Sequence, residues 1–341
     1  MKECYIVTVF FLPRGGFVQP NAQADRSPRC SERRLSFALG ALERYMSSMT
    51  TLYVIGNGFD LWHGLPTGYD QFYKFARDTL DEVGAYYYFD LAQKGPWCDF
   101  ENSLGRFDWR LFYEAHDNTD VTAESFRPSE VYGLEDDVTE QANSHVNAIR
   151  ECFREWIDGI DISVAKKKMT FAPEDRFFTF NYTSTLQSAY GIEDEKVFHI
   201  HGRSDRFDEL VFGHGESMEE EPELDENGDS NRTMFSDAQG SAKHPLYALQ
   251  KPVDKILERN RLRFEFRRDA TDIIVIGHSF NEVDLPYFKK LADCAKGARW
   301  RVCCYEAADK VHHAQQLIKC GVPAERIQIC AYPDLETKRY Q

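Results

Sequence analysis

The chain has 341 residues, a formal net charge of −15, and hydrophobic and aromatic fractions of 42% and 14%. That length and apolar content fit one large or two smaller packed α/β domains and exclude a disordered chain. The acidic balance argues against a nucleic-acid scaffold, which presents a basic face, so nucleic acid is not an expected partner.

In chain order, Tyr5–Leu12 is a short apolar run and Ala22-Gln-Ala24 imitates a leader cleavage site. Only Lys2 precedes the run and Pro13-Arg14 follows it, so residues 1–48 read instead as an extension outside the fold. The domain then begins at Met49 and occupies 49–341. Thr51–Ile55 is a buried parallel strand that ends in Gly56-Asn57-Gly58. A helix follows at Gln71–Ala76, and residues 78–160, rich in aromatics, acids and helix formers, read as a helical insertion. Further strands are expected at Arg176–Asn181, Lys196–Gly202 and Glu209–Gly213. The acidic, turn-rich stretch 216–232 reads as a solvated loop. Asp272–Gly277 and Trp300–Tyr305 complete the strands, with helices around 246–266, 284–296 and 307–319. Alternating strands and helices predict a doubly wound, Rossmann-like parallel sheet carrying a mostly helical insertion. Nine cysteines without a CxxC pair read as reduced thiols of a cytoplasmic protein, with no structural zinc. No stretch approaches the ~18 apolar residues that span a membrane.

Glycine- or asparagine-containing turns follow four of these strands: Gly56-Asn57-Gly58, the turn after Asn181, His201-Gly202, and Gly277-His278-Ser279. In an open parallel sheet the strand C-termini share one edge, so these turns are expected to line one crevice. The first turn is G-x-G without the third glycine of the dinucleotide fingerprint, since position 61 is Leu. Its glycines suit either a phosphate approached by backbone amides or simply a tight strand exit. Asp60 and Asp284 each follow such a turn. Helix capping is favoured for Asp284, and for Asp60 capping is balanced against binding a ribose hydroxyl. Asp99 and Glu101 are divided between an acid reaching the pocket and solvated surface. Tyr69, Phe72 and Tyr86–Phe89 read as helix packing.

Several blocks resemble the bacteriophage abortive-infection AbiH family. They are Ile55–Thr67, Trp97–Glu101, Phe178–Thr183, His199–Gly202, Val211–Gly215 and Ile276–Asp284, in the family's order from about residue 51 to 290. A more distant resemblance links them to SIR2-like NAD-binding domains. It implies phosphate contacts from Gly56, Asn57 and Gly58, adenosine contacts from Gly277 and Ser279, and a catalytic pair, Asn181 at the nicotinamide ribose and His201 as the base. The sequence departs from that pattern at Thr183, where sirtuins carry Asp, at Thr67-Gly-Tyr69, which lacks their Arg, and in having no zinc cysteines. These departures disfavour protein deacylation and leave cleavage of NAD.

The chemistry is consistent with those residues. Departure of nicotinamide needs a positioned water or hydroxyl and a base near neutral pKa, which a His supplies, while an Asn orients ribose or water. The expectation is an antiphage protein binding and hydrolysing NAD or a related nucleotide, with no metal expected. A homo-oligomer and a phage-derived trigger are the partners left open, and the insertion is the candidate restraint on activity. Two alternatives stand beside it. One is a non-catalytic nucleotide sensor, and the other is a metal-dependent hydrolase or nuclease using His199, His201 and His214.

Overall fold

The computed structural model describes residues 50–89, 97–218, 222–265, 267–306 and 308–336, with the side chains of 97–99 outside the description. The expected extension 1–48 lies outside the described residues.

Strand β1 (Thr50–Ile55) runs into a short helix α1 (Asn57–Trp62). The insertion follows as α2 (Tyr69–Phe75), α3 (Arg77–Tyr87), α4 (Trp97–Leu104), α5 (Trp109–His116) and the 30-residue α6 (Ser129–Asp158). Along α6 the buried residues Val131, Leu134, Val138, Ala142, Val146, Ile149 and Phe153 recur every three or four positions. That spacing keeps one stripe of a long helix facing the core. The chain returns to the sheet with β2 (Arg176–Thr179), α7 (Thr185–Tyr190) and β3 (Val197–His199). Next come α8 (Ser236–Ala242), α9 (His244–Ala248), α10 (Val253–Arg259) and α11 (Arg261–Glu265). The expected helix over 246–266 is thus three short pieces. β4 (Ala270–Ile276), α12 (Leu285–Cys294), β5 (Arg299–Cys304), α13 (Asp309–Lys319), β6 (Ile327–Ala331) and α14 (Pro333–Glu336) complete the described chain.

The six strands form one all-parallel sheet in the order β3-β2-β1-β4-β5-β6, with helices on both faces. This is the expected doubly wound fold. Successive residues of β1 and β4 alternate between two apolar layers: Leu52, Val54, Ile273 and Val275 on one face, Tyr53, Ile55, Ile274 and Ile276 on the other. A strand buried on both faces must be apolar throughout, which is why both strands read so clearly. A third core lies within the insertion and takes in Phe212, Ala238, Ala242, Leu246 and Leu249 from a later part of the chain.

Two expectations change. No strand forms at 209–213, because Phe212 and Leu210 pack into the helical core rather than the sheet. β3 ends at His199, so His201, expected within a strand over 196–202, lies in the turn beyond it. As expected, the described acidic residues 222–232 are exposed, and among the described residues no helix is long and apolar enough to cross a membrane.

The strand order reverses direction between β1 and β4, and there the exits of both strands interlock. Gly56 N donates to Ile276 O (2.9 Å) and Gly58 N to Gly277 O (2.8 Å). A Cβ on Gly58 would lie 2.7 Å from the Gly277 Cα. A Cβ on Gly277, which has φ +72°, would lie 2.2 Å from the Phe59 nitrogen. Gly64 has a comparable φ of +86° but nothing within 4 Å of its Cβ position. Gly64→Ala should therefore cost about 1 kcal/mol, its backbone term alone. Gly277→Ala should cost about 3 kcal/mol or more, since backbone atoms must also move. Urea unfolding of both variants checks this, and equal losses would show that the interlock is not the constraint.

Candidate functional site

A cavity of about 690 Å³ opens at this switch point. The β1 and β4 exits form one side, the turn after β2 another, and Phe153, Trp156 and Ile157 of α6 part of its cover. All eight residues expected at the site, Gly56, Asn57, Gly58, Asp60, Asn181, His201, Gly277 and Ser279, line it. The amides of Gly56 and Gly58 are already bonded to β4 and its turn, so their glycine requirement has a packing cause. Asn57 Nδ2 donates to Thr67 O (2.7 Å), fastening the loop beyond α1.

Asp60 is one of the most buried acids of the cavity wall, 1% exposed. It sits inside α1 rather than at its cap. Thr183 Oγ1 donates to its Oδ2 (2.5 Å), while Oδ1 has no partner. Burial raises the Asp60 pKa from 3.8 to about 6, with Thr183, Thr185 and Asn181 partly offsetting that rise. Thr183, the departure from the sirtuin pattern, is therefore the hydroxyl donor to this carboxylate. Asn181 Oδ1 and His201 Nε2 are also buried without partners. Five such atoms, with Thr67 Oγ1 and Gln71 Oε1, belong to residues lining this cavity. Buried polar atoms are normally paired, so their concentration here marks a surface suited to a polar ligand.

Beside His201 lies an ionic cluster that the sequence did not reveal. Lys251 Nζ contacts Glu101 Oε1 (2.9 Å) and Asp284 Oδ1 (3.1 Å), with all three side chains buried. Gly213 N also donates to Glu101 Oε1 (3.3 Å). His278 Nδ1 accepts from Phe280 N (2.8 Å), which places the proton of the neutral ring on Nε2, 3.5 Å from Asp284 Oδ2. His201 Nε2 stands 3.9 Å from Asp284 Oδ1, too far for a hydrogen bond. Burial would raise Asp284, but Lys251, His278 and His201 outweigh it and hold the carboxyl well below its ordinary range. For Glu101 burial prevails over Lys251 and its pKa rises, so Glu101 takes up a proton before Asp284 does. Burial, with Lys251 adding to it, lowers His201 to about 3, leaving the ring neutral at physiological pH.

Asp284 occupies the N-cap position of α12 but makes no side-chain cap bond, correcting the capping expectation. Glu101 is pocket wall rather than solvated surface, and the Asp99 side chain lies outside the description. Tyr69 and Phe72 are buried as expected. Tyr86 and Tyr87 pack on Phe107, whereas Tyr88 is exposed.

The three histidines of the metal reading are not brought together. His199 lines a separate groove, where its Nδ1 donates to Asn181 O (2.9 Å) and its Nε2 accepts from Gln187 (3.0 Å). His214 Nε2 donates to Leu246 O (2.8 Å) and its Nδ1 accepts from Glu216 N (3.2 Å). His63, in the first motif, is likewise engaged, by Phe59 O (2.6 Å) and Tyr190 Oη (2.5 Å). No cluster of three potential metal ligands occurs among the described residues.

The family model described as "Bacteriophage abortive infection AbiH" matches residues 52–304. The match covers more than half of the chain, and the chain belongs to this family. No curated protein matches it.

Two predictions follow from the electrostatics. Because the folded pKa of Asp60 is raised, its protonated form contributes stability that is lost as pH climbs from its ordinary value of 3.8 through about 6. The loss is on the order of 3 kcal/mol. Asp60→Asn should flatten that part of the stability-versus-pH curve between pH 4 and 7, and an unchanged slope in urea titrations would refute the assignment. Lys251→Met leaves two buried carboxylates without their cation and should cost about 3–5 kcal/mol. Adding Glu101→Gln should recover part of that loss. Thermal melts with no recovery would show that Glu101 is not coupled to Lys251.

Proposed function

With family membership as the premise, we propose that this chain acts in abortive infection by binding NAD or a related nucleotide in the crevice and hydrolysing its bond to nicotinamide. Membership itself supports a role in phage defence. The observation that carries the finer reading is the set of unpartnered buried atoms, Asp60 Oδ1, Asn181 Oδ1 and His201 Nε2, around one cavity at the switch point of a parallel sheet. A volume of about 690 Å³ is in the range of nucleotide-sized ligands.

In the proposed step water adds to the anomeric carbon of the ribose as the C–N bond breaks. Nicotinamide leaves with the bond electrons, ADP-ribose forms, and the proton of water passes to a base. Asn181 orients the ribose hydroxyls or the water through its amide. The sequence nominates His201 as the base, and the Asp284 carboxylate 3.9 Å away would stabilise the imidazolium. Asp60, with its pKa at about 6, lies nearer the value that favours proton transfer at neutral pH and is the second candidate. Phosphate contact falls to the turns carrying Asn57 and Ser279, the latter exposed at the crevice, since the Gly58 amide is taken. The insertion is the candidate restraint, because its Glu101 closes on Lys251 inside the cavity.

One observation favours the sensor reading: with a pKa of about 3, His201 is far from the optimum for a base. Incubation of the full chain with NAD, following nicotinamide release and calorimetric binding together, separates the two. Wild type should release nicotinamide, and Asn181→Ala and His201→Ala should each lower the rate by about 100-fold or more. Binding without release supports the sensor. Neither binding nor release overturns both readings.

A further inference from the structure

We propose that a second site, a groove along edge strand β3, binds the phosphate oxygens of a small oligophosphate through Arg263 and Arg267. The groove, of about 620 Å³, is distinct from the crevice and runs past Arg176, Phe198, His199 and α11. Two guanidinium groups converge on one ring there: the Arg263 Cζ lies 4.8 Å and the Arg267 Cζ 5.0 Å from the centroid of Phe198.

The other cations of the groove are matched by carboxylates. Arg203 meets Asp194 (2.5 Å) and Asp205, and Arg206 also meets Asp194. Lys196 meets Glu193 (2.8 Å), and Arg176 meets Asp269 (3.2 Å). Arg263 and Arg267 have no carboxylate within ion-pair distance among the described residues. Arg267 donates through Nη1 to Arg263 O, and its Nε is buried without a partner. Burial, then the like charges of Arg263 and Arg176, lower Arg267 to about 10, with Asp269 partly offsetting them. The groove also carries Asp194, Glu195 and Asp208, and within it these two arginines are the cations without an ion-pair partner among the described residues.

An oligophosphate is the chemical class that answers this arrangement. Planar guanidinium forks pair bidentately with phosphate oxygens, and a multivalent anion relieves the repulsion between them. Phe198 is buried beneath the two arginines and offers no open face for a base, so recognition is by charge. His199 lines the same groove and donates to the Asn181 carbonyl (2.9 Å), placing the groove one residue from the crevice wall. The inference stands whether or not the crevice hydrolyses NAD.

Inorganic pyrophosphate and triphosphate, titrated calorimetrically into the full chain at low and physiological salt, test it. Wild type should bind both, more weakly at higher salt. R263Q, at an exposed position of α11 where folding should survive, should weaken binding at least tenfold. R267Q should do the same, while N181A should leave it unchanged. Absence of binding in wild type overturns the proposal, as does equal affinity in R263Q. Loss of binding in N181A with retention in R263Q would place the anion in the crevice and also overturn it.

Discussion

The crevice depends on how closely two turns approach. Gly58 N donates to Gly277 O, and the backbone atoms at these turns leave no room for a side chain on either glycine. This contact ties the exits of β1 and β4 together, so residues distant in the chain start from a common origin. From it the first helix carries Asp60 inward, while the β4 exit sends His278 and Asp284 toward Lys251. A looser contact would displace each of these groups independently. Catalytic or binding geometry tolerates little such error.

The second constraint is electrostatic. One buried ammonium serves two buried carboxylates, one from the insertion and one from the N-cap of α12 beyond β4. Such clusters gain little net stability, because desolvation offsets most of the attraction. The geometry of this one links the insertion to the sheet, because Glu101 from the insertion and Asp284 from beyond β4 meet on the same ammonium. Its ammonium holds Asp284 ionised and adds to the burial that keeps His201 neutral in the same cavity. A neutral ring beside a fixed anion is ready to receive a proton, though its low pKa means that it holds one weakly.

Much of this was legible in the sequence. β1 and β4 are apolar along their length because both faces are covered, and the turns after β1, β2, β3 and β4 named the crevice before its geometry was known. Asn181 and His201 stood out through the SIR2-like resemblance, at the ends of the strands expected over 176–181 and 196–202. Lys251 did not, since Gln250-Lys251-Pro252 joins two short helices and has no periodicity to single it out. Glu101 was ambiguous because amphipathic spacing on a short helix does not say whether an acid faces water or a buried cation. Segment 209–213 has a strand's composition but spends its apolar residues on the helical core. β6 escaped notice because an edge strand is covered less completely and needs no continuous apolar run.

The helical cover over the crevice is assembled from two excursions of the chain. Thr139 Oγ1 meets Ser241 Oγ (2.8 Å), and Arg150 reaches the carbonyl of Ala248 (2.6 Å), so α6 is completed by α8 and α9. During synthesis, α6 emerges about a hundred residues before those partners, and Asp284 later still. A nascent chain therefore carries Asp60 and Asn181 while lacking both the finished cover and the anion beside His201. These crevice residues thus exist together only once Asp284 has been made, a delay built into the order of the segments.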